Sequence, residues 1–221
     1  MTQLSGTAAE IYDQIKGTDT KLGDLRQIAK NIRTNHPLAL ELWSTAELYP
    51  RLLAILIMDK KELTETVVQQ LIYDMDSHTG ADRTQLADWL MANQLTKDKK
   101  GLSMLNSWEH HPSPLHRRMF WYHQGRLRWV GQQPPNNTAA LLDALDDRMA
   151  TEEAEVQWAM NFTAGWIGIF DESHRQRCIE IGERTGLYKD MPVARNCAPD
   201  YLPAFIESEL AKRKTKKQPT S

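Results

Sequence analysis

The chain of 221 residues is 41% hydrophobic and 25% charged, and its 27 Lys and Arg against 29 Asp and Glu leave a formal net charge of -2. This length holds one domain with a sizeable core. The balance excludes a uniformly basic binder, although a total says nothing of how the charge is distributed. The longest apolar run, Leu52 to Met58, spans seven residues and is closed by Asp59, Lys60 and Lys61, well short of the roughly 20 needed to cross a bilayer. No membrane segment is expected. The opening Met1-Thr2-Gln3-Leu4-Ser5 lacks the basic start and apolar centre of a secretory signal, so a cytoplasmic protein is expected. Cys178 and Cys197 make neither a disulfide framework nor a zinc set and read as free thiols.

The aliphatic usage, 25 Leu and 20 Ala against 5 Val, favours helices over strands, because unbranched side chains lose little rotamer freedom in a helix. In chain order the patterning predicts helices over about 5–16, 20–34, 36–45, 47–58, 61–74, 79–95, 98–109, 113–131, 136–149, 152–169, 171–186 and 199–212. Ser113-Pro114 opens one of them with a cap residue and a proline at the first helical position. Thr151-Glu152-Glu153-Ala154 opens another with acids in its first turn, favourable to the helix dipole. Pro134-Pro135-Asn136-Asn137 marks a loop between helix pairs. Short helices paired every ~35–45 residues imply an all-α solenoid of antiparallel helix pairs, of the HEAT or ARM type, with a concave groove. A compact non-repetitive bundle is the alternative. One repeat domain over 1–210 and a basic, disordered tail over 211–221 are expected, the tail holding Lys212, Arg213, Lys214, Lys216 and Lys217.

The charge is segregated. From Lys97 to Gln133 stand seven Lys and Arg against two acids, and Asp143 to Glu155 then carries six acids against Arg148 alone. Within the basic stretch, helical spacing puts Arg117, Trp121, Gln124 and Arg128 on one face and Arg118, Tyr122, Gly125 and Trp129 on the adjoining one. Interleaved cations and aromatic rings can hold phosphates and present π faces beside them. Aromatic residues braced by arginine in a core give the same pattern.

Other constellations point to no chemistry. His110, His111, His116 and His123 have no carboxylate or thiolate at ligand spacing, so no metal is expected. Asp76-Ser77-His78 is no hydrolytic triad, since neighbours in sequence point apart. A phosphate-cradling glycine loop is absent from the sequence.

The segments Leu38 to Trp43, Leu52 to Met58, the Arg117-Arg118 helix, Val156 to Phe162, Ile181 to Asp190 and Cys197 to Pro203 resemble, in their order, the DNA alkylation repair proteins of the AlkD-like HEAT-repeat superfamily. The resemblance covers about residues 20–210. It implies a DNA glycosylase that removes alkylated purines from double-stranded DNA held on the concave face, as a monomer and with neither cofactor nor metal. An alkylated purine already carries positive charge and leaves readily, so a carboxylate and electron-rich rings that stabilise the developing sugar cation suffice. The resemblance places Asp82 as that carboxylate, Arg118 as the phosphate-holding arginine, and His78 and Phe162 where the family has two tryptophans. Arg117, Trp121 and Arg128 join them as DNA-contacting residues.

Both tryptophan replacements weaken the site. Phenylalanine is a poorer π donor than indole, and a protonated His78 would repel a cation. Altered or weakened activity on simple alkylpurines follows. The alternative is a non-catalytic helical-repeat protein that binds DNA structures or a protein partner.

Overall fold

The computed structural model describes residues 4–17, 20–195 and 197–217, and among these it is all-helical, with twelve α-helices and five single-turn 3-10 segments. No helix among the described residues is long and apolar enough to cross a membrane. The chain forms two compact units, Met1–Asn106 and Ser107–Ser221, where one domain over 1–210 was expected.

The first unit holds α1 (Gly6–Ile15), α2 (Leu22–Ile32), α3 (His36–Ser44), α4 (Leu48–Ile57), α5 (Glu65–Asp74), α6 (Gly80–Asn93) and α7 (Lys99–Ser107), the last of which runs one residue past the boundary. The apolar run of the sequence is α4, and it sits at the centre, against α1, α2, α3 and α6. Leu52, Leu53, Ala54, Ile55 and Ile57 are all fully buried, and each large aliphatic side chain so buried contributes about 2 kcal/mol. Polar bonds finish the ends of α4. Asn35 N–H donates to the Ile57 carbonyl at 2.8 Å, and the buried Gln94 donates from Nε2 to the Ile55 carbonyl at 2.6 Å, tying the end of α6 to that of α4.

The second unit holds α8 (Pro114–Trp129), α9 (Thr138–Arg148), α10 (Ala154–Phe170), α11 (Arg175–Thr185) and α12 (Leu202–Lys217). Its core is the α8–α10 pair, covered by α11 and α12. Small residues set the spacing. A Cβ on Gly125 of α8 would stand 2.6 Å from Phe162 Cδ1 and 2.9 Å from Thr163 Oγ1, so only glycine lets α10 lie this close. Thr163 Oγ1 in turn lies 2.5 Å from the Trp121 carbonyl and 2.9 Å from that of Ala159. α11 ends on Gly186 in the left-handed conformation at φ +61°, a common helix stop.

All twelve expected helices are present, most with ends trimmed by one to four residues. The exception is α12, which continues to Lys217, so residues 211–217 are helical rather than a disordered tail, and 218–221 lie outside the described residues. Alanine and lysine are good helix formers. Arg213 adds a tether, its guanidinium lying 4.4 Å from the ring centre of Phe170 and 5.6 Å from that of Trp166.

Among the residues whose burial is described, the buried cations are all arginines (Arg51, Arg118 and Arg128), and every lysine is exposed, as are arginines such as Arg26, Arg184 and Arg195.

Candidate nucleic-acid interface

In the first unit the expected carboxylate, Asp82, stands in the first turn of α6, two residues after Gly80 at φ +53°. Its side chain is exposed. The helix N-terminus favours the charge, but solvent on the open side dilutes any field it exerts. His78, half-buried, ends the 3-10 turn Met75–Ser77 just before α6. Burial, and then the nearby charge of Arg51, hold its pKa below the usual histidine value against the opposing pull of Asp82. That shift favours the neutral ring, which lessens the repulsion that a protonated histidine would impose on a cation.

Arg51 anchors this corner. From its buried position it donates to the Trp43 carbonyl at 3.2 Å, the Asp74 carbonyl at 2.7 Å and Ser77 Oγ at 2.9 Å, while Trp43 Nε1 donates to Asp74 Oδ2 at 2.7 Å. The turn that carries His78 is thus fixed from behind by α3 and α4. α6 holds a second carboxylate, Asp88, half-buried and six residues on, hence on another face of the helix.

In the second unit, Arg118 is 1% exposed. Its guanidinium lies 5.3 Å from the ring centre of Tyr122 and 5.6 Å from that of Trp158. Tyr122 meets Phe162 at 5.0 Å, and Trp158 stacks on Phe162 at 5.5 Å with their planes 17° apart. Phe162 continues to Trp166, which stacks on Phe170 at 5.8 Å. Trp129 of α8 lies across this row, touching both Phe162 and Trp166. Arg118 and Phe162 therefore share one aromatic cluster. Trp158, Phe162, Trp166 and Phe170 recur every fourth residue and form a row along one side of α10. Trp129 and Phe170 are about half exposed, and Trp158 and Phe162 are partly so. Sequence reasoning passed over most of this row, although its four-residue period was there to be read.

The other expected contacts are corrected by burial. Trp121 is fully buried, edge-on to Phe120, so its ring belongs to the core and offers no face to a ligand. Arg128 is 5% exposed and spends its guanidinium on the Gln124 carbonyl at 2.9 Å and Thr138 Oγ1 at 3.0 Å, joining α8 to α9. Arg117 is bound to Glu152 at 2.9 Å and to Glu153, and donates as well to the carbonyls of His111 and Pro112 at 2.8 and 2.9 Å. It staples the start of α8 to the start of α10.

The acidic stretch is the counterpart of these arginines. Arg148 pairs with Glu109 at 2.8 Å, Arg177 with Asp143 at 2.8 Å, and Arg184 with Asp146. Asp143, Asp146, Glu152 and Glu153 of that stretch are thus paired with arginines inside the second unit. No group of three or more potential metal ligands occurs among the described residues.

A solved structure from a family of proteins related to the HEAT-like repeat DNA glycosylases with affinity for branched DNA structures is similar to this chain. The TM-score is 0.66 over 95% of this chain and 89% of the other, at 18% identity. The fold is therefore the HEAT-like repeat fold of those proteins. No curated protein matches the chain. The family described as DNA alkylation repair enzyme matches residues 12–183, from α1 to the last turns of α11 and including the arginine-braced aromatic row, and the chain belongs to that family.

Proposed function

We propose that this protein is a DNA-binding repair protein that recognises irregular or branched DNA and retains weak glycosylase activity on alkylated purines at most. The observation that carries this is the aromatic row of α10, braced by Arg118 at one end and Arg213 at the other. Partly exposed rings such as those of Trp158, Phe162 and Phe170 bind nucleotides whose bases are not fully stacked, because every base has a π face, while Arg118, itself buried, braces the rings from within. The structural neighbour's affinity for branched DNA supports the same reading. The partner is double-stranded DNA, taken on the concave side that repeats of this kind present, by a single copy of the chain.

In the catalytic step, the N-glycosidic bond breaks and water then adds to the sugar C1′. The bonding pair leaves with the base and neutralises its positive charge, and the water proton passes to Asp82 or to solvent. Asp82 stabilises the sugar cation between these events. A solvent-exposed carboxylate does this less well than an enclosed one, and no tryptophan stands at the positions of His78 and Phe162 to assist it.

Two assays test the reading. Release of 7-methylguanine and 3-methyladenine from methylated duplex should be low and should fall to background with Asp82→Asn. Release that matches a relative with both tryptophans would overturn the weakened activity, and release lost in Asp88→Asn but kept in Asp82→Asn would move the carboxylate along α6. Affinity for a four-way junction should exceed that for linear duplex and fall steeply with salt, as counterion release requires. The exposed position of Asp82 favours one second reading, a purely non-catalytic DNA-structure binder, which predicts junction binding with no base release by any variant.

A further inference from the structure

Beside the aromatic row, a narrow cleft of about 30 Å³ opens between Trp158, Asn161, Phe162, Asp200 and Phe205. Asn161 is 6% exposed. Its Nδ2 donates to the Asp200 carbonyl at 2.8 Å, which settles the orientation of the amide and leaves Oδ1 as an acceptor. That Oδ1 is buried and has no hydrogen-bond partner among the described residues. A buried acceptor left unmet is costly, so the cleft calls for a donor.

The size of the cleft decides what kind of donor. It holds a group of about one water's volume, enough for an amino group and too little for a ring. The ring that bears the amino group must then lie across the mouth, against the parts of Trp158 and Phe162 that stay exposed beside their mutual stack. Asp200, exposed at the rim, adds a negative charge that also favours a donor.

We propose that this cleft seats the exocyclic amino group of an unpaired nucleobase stacked on Trp158 and Phe162, with Asn161 Oδ1 accepting its hydrogen bond. The proposal rests on the DNA-binding reading above and adds a base preference to it. Adenine, cytosine and guanine carry the required group. Thymine does not, and neither does unsubstituted purine, which keeps the ring of adenine without its amine.

The test uses the full chain and a duplex with a single-nucleotide bulge in which the unpaired residue is adenine, purine, thymine or an abasic site, with affinity read by fluorescence anisotropy. Adenine should bind about tenfold tighter than purine, as one hydrogen bond to a buried acceptor provides, and the abasic bulge should be weakest. Asn161→Leu should bring adenine and purine within twofold of each other while binding to linear duplex is unchanged. Phe205→Trp, which fills the cleft and leaves Asn161 in place, should do the same and serves where Asn161→Leu does not fold. Adenine and purine bound equally by the wild-type protein would show that the cleft holds only water, and would overturn the proposal while leaving the DNA reading intact. A tenfold preference that survives both substitutions would place base selection elsewhere and overturn it as well. Failure to bind any of these DNAs would overturn both readings.

Discussion

At Gly125 a single hydrogen atom in place of a side chain decides how near α8 and α10 come. Gly125→Ala would push against Phe162 and Thr163, which are held by the aromatic row and by the Trp121 carbonyl, so neither can yield cheaply. Overpacking of this kind costs about 1–3 kcal/mol. The variant should melt several degrees lower in a thermal scan, and the junction affinity should fall with it if the row binds DNA. A melting temperature equal to wild type would mean that Phe162 is freer to move than its neighbours suggest. The same scale separates what the residue types disclosed from what they hid. Arg118 and Phe162 are expected together only through the family resemblance, and they do share one aromatic cluster. Trp121 and Arg128 share α8 with Arg118, yet the Trp121 ring is buried in the core and Arg128 bonds Thr138 of α9, a partner that no spacing within α8 could announce.

Helix limits depend on local chemistry, and the chain advertises most of them. Ser113-Pro114 starts α8 and Gly186 stops α11, both by rules that act within a few residues. The end of α12 escaped such reading because its last turns lack an apolar stripe. What holds Arg213 there is a pair of rings on another helix. How α8 meets α10 was equally invisible, although the opposing charges of the two segments were plain. Their ion pair is testable. The side chains of Arg117 and Glu152 are only 12% and 9% exposed, so removing either leaves the other charge largely enclosed. Arg117→Ala should cost on the order of 2–4 kcal/mol. In a double-mutant cycle on unfolding by urea, Glu152→Ala should add much less on that background than it does alone. Additive effects would show the pair to be incidental.

For the molecule as a whole, pH is the sharpest lever on stability. Burial lowers the pKa of His116 to about 4, with a smaller contribution from His111, and that of His123 to about 4, with a smaller one from Arg126. An unfolded histidine titrates near 6.5. Between these values the unfolded chain binds more protons than the folded one, so stability is fullest above about pH 6.5 and is lost as the pH falls toward 4. Going from about pH 7.5 to about pH 5 should remove on the order of 4 kcal/mol through these two residues together. Urea titrations across that range check this, and His123→Phe should flatten the dependence. An unchanged slope in that variant would assign the acid sensitivity to other groups. The division of cations between interior and surface bears on regulation. Three arginines brace the interior and the lysines of described burial face water, so acylation of those lysines would strip positive charge from the exterior while the guanidiniums of Arg51, Arg118 and Arg128, which hold the helices together, stay untouched.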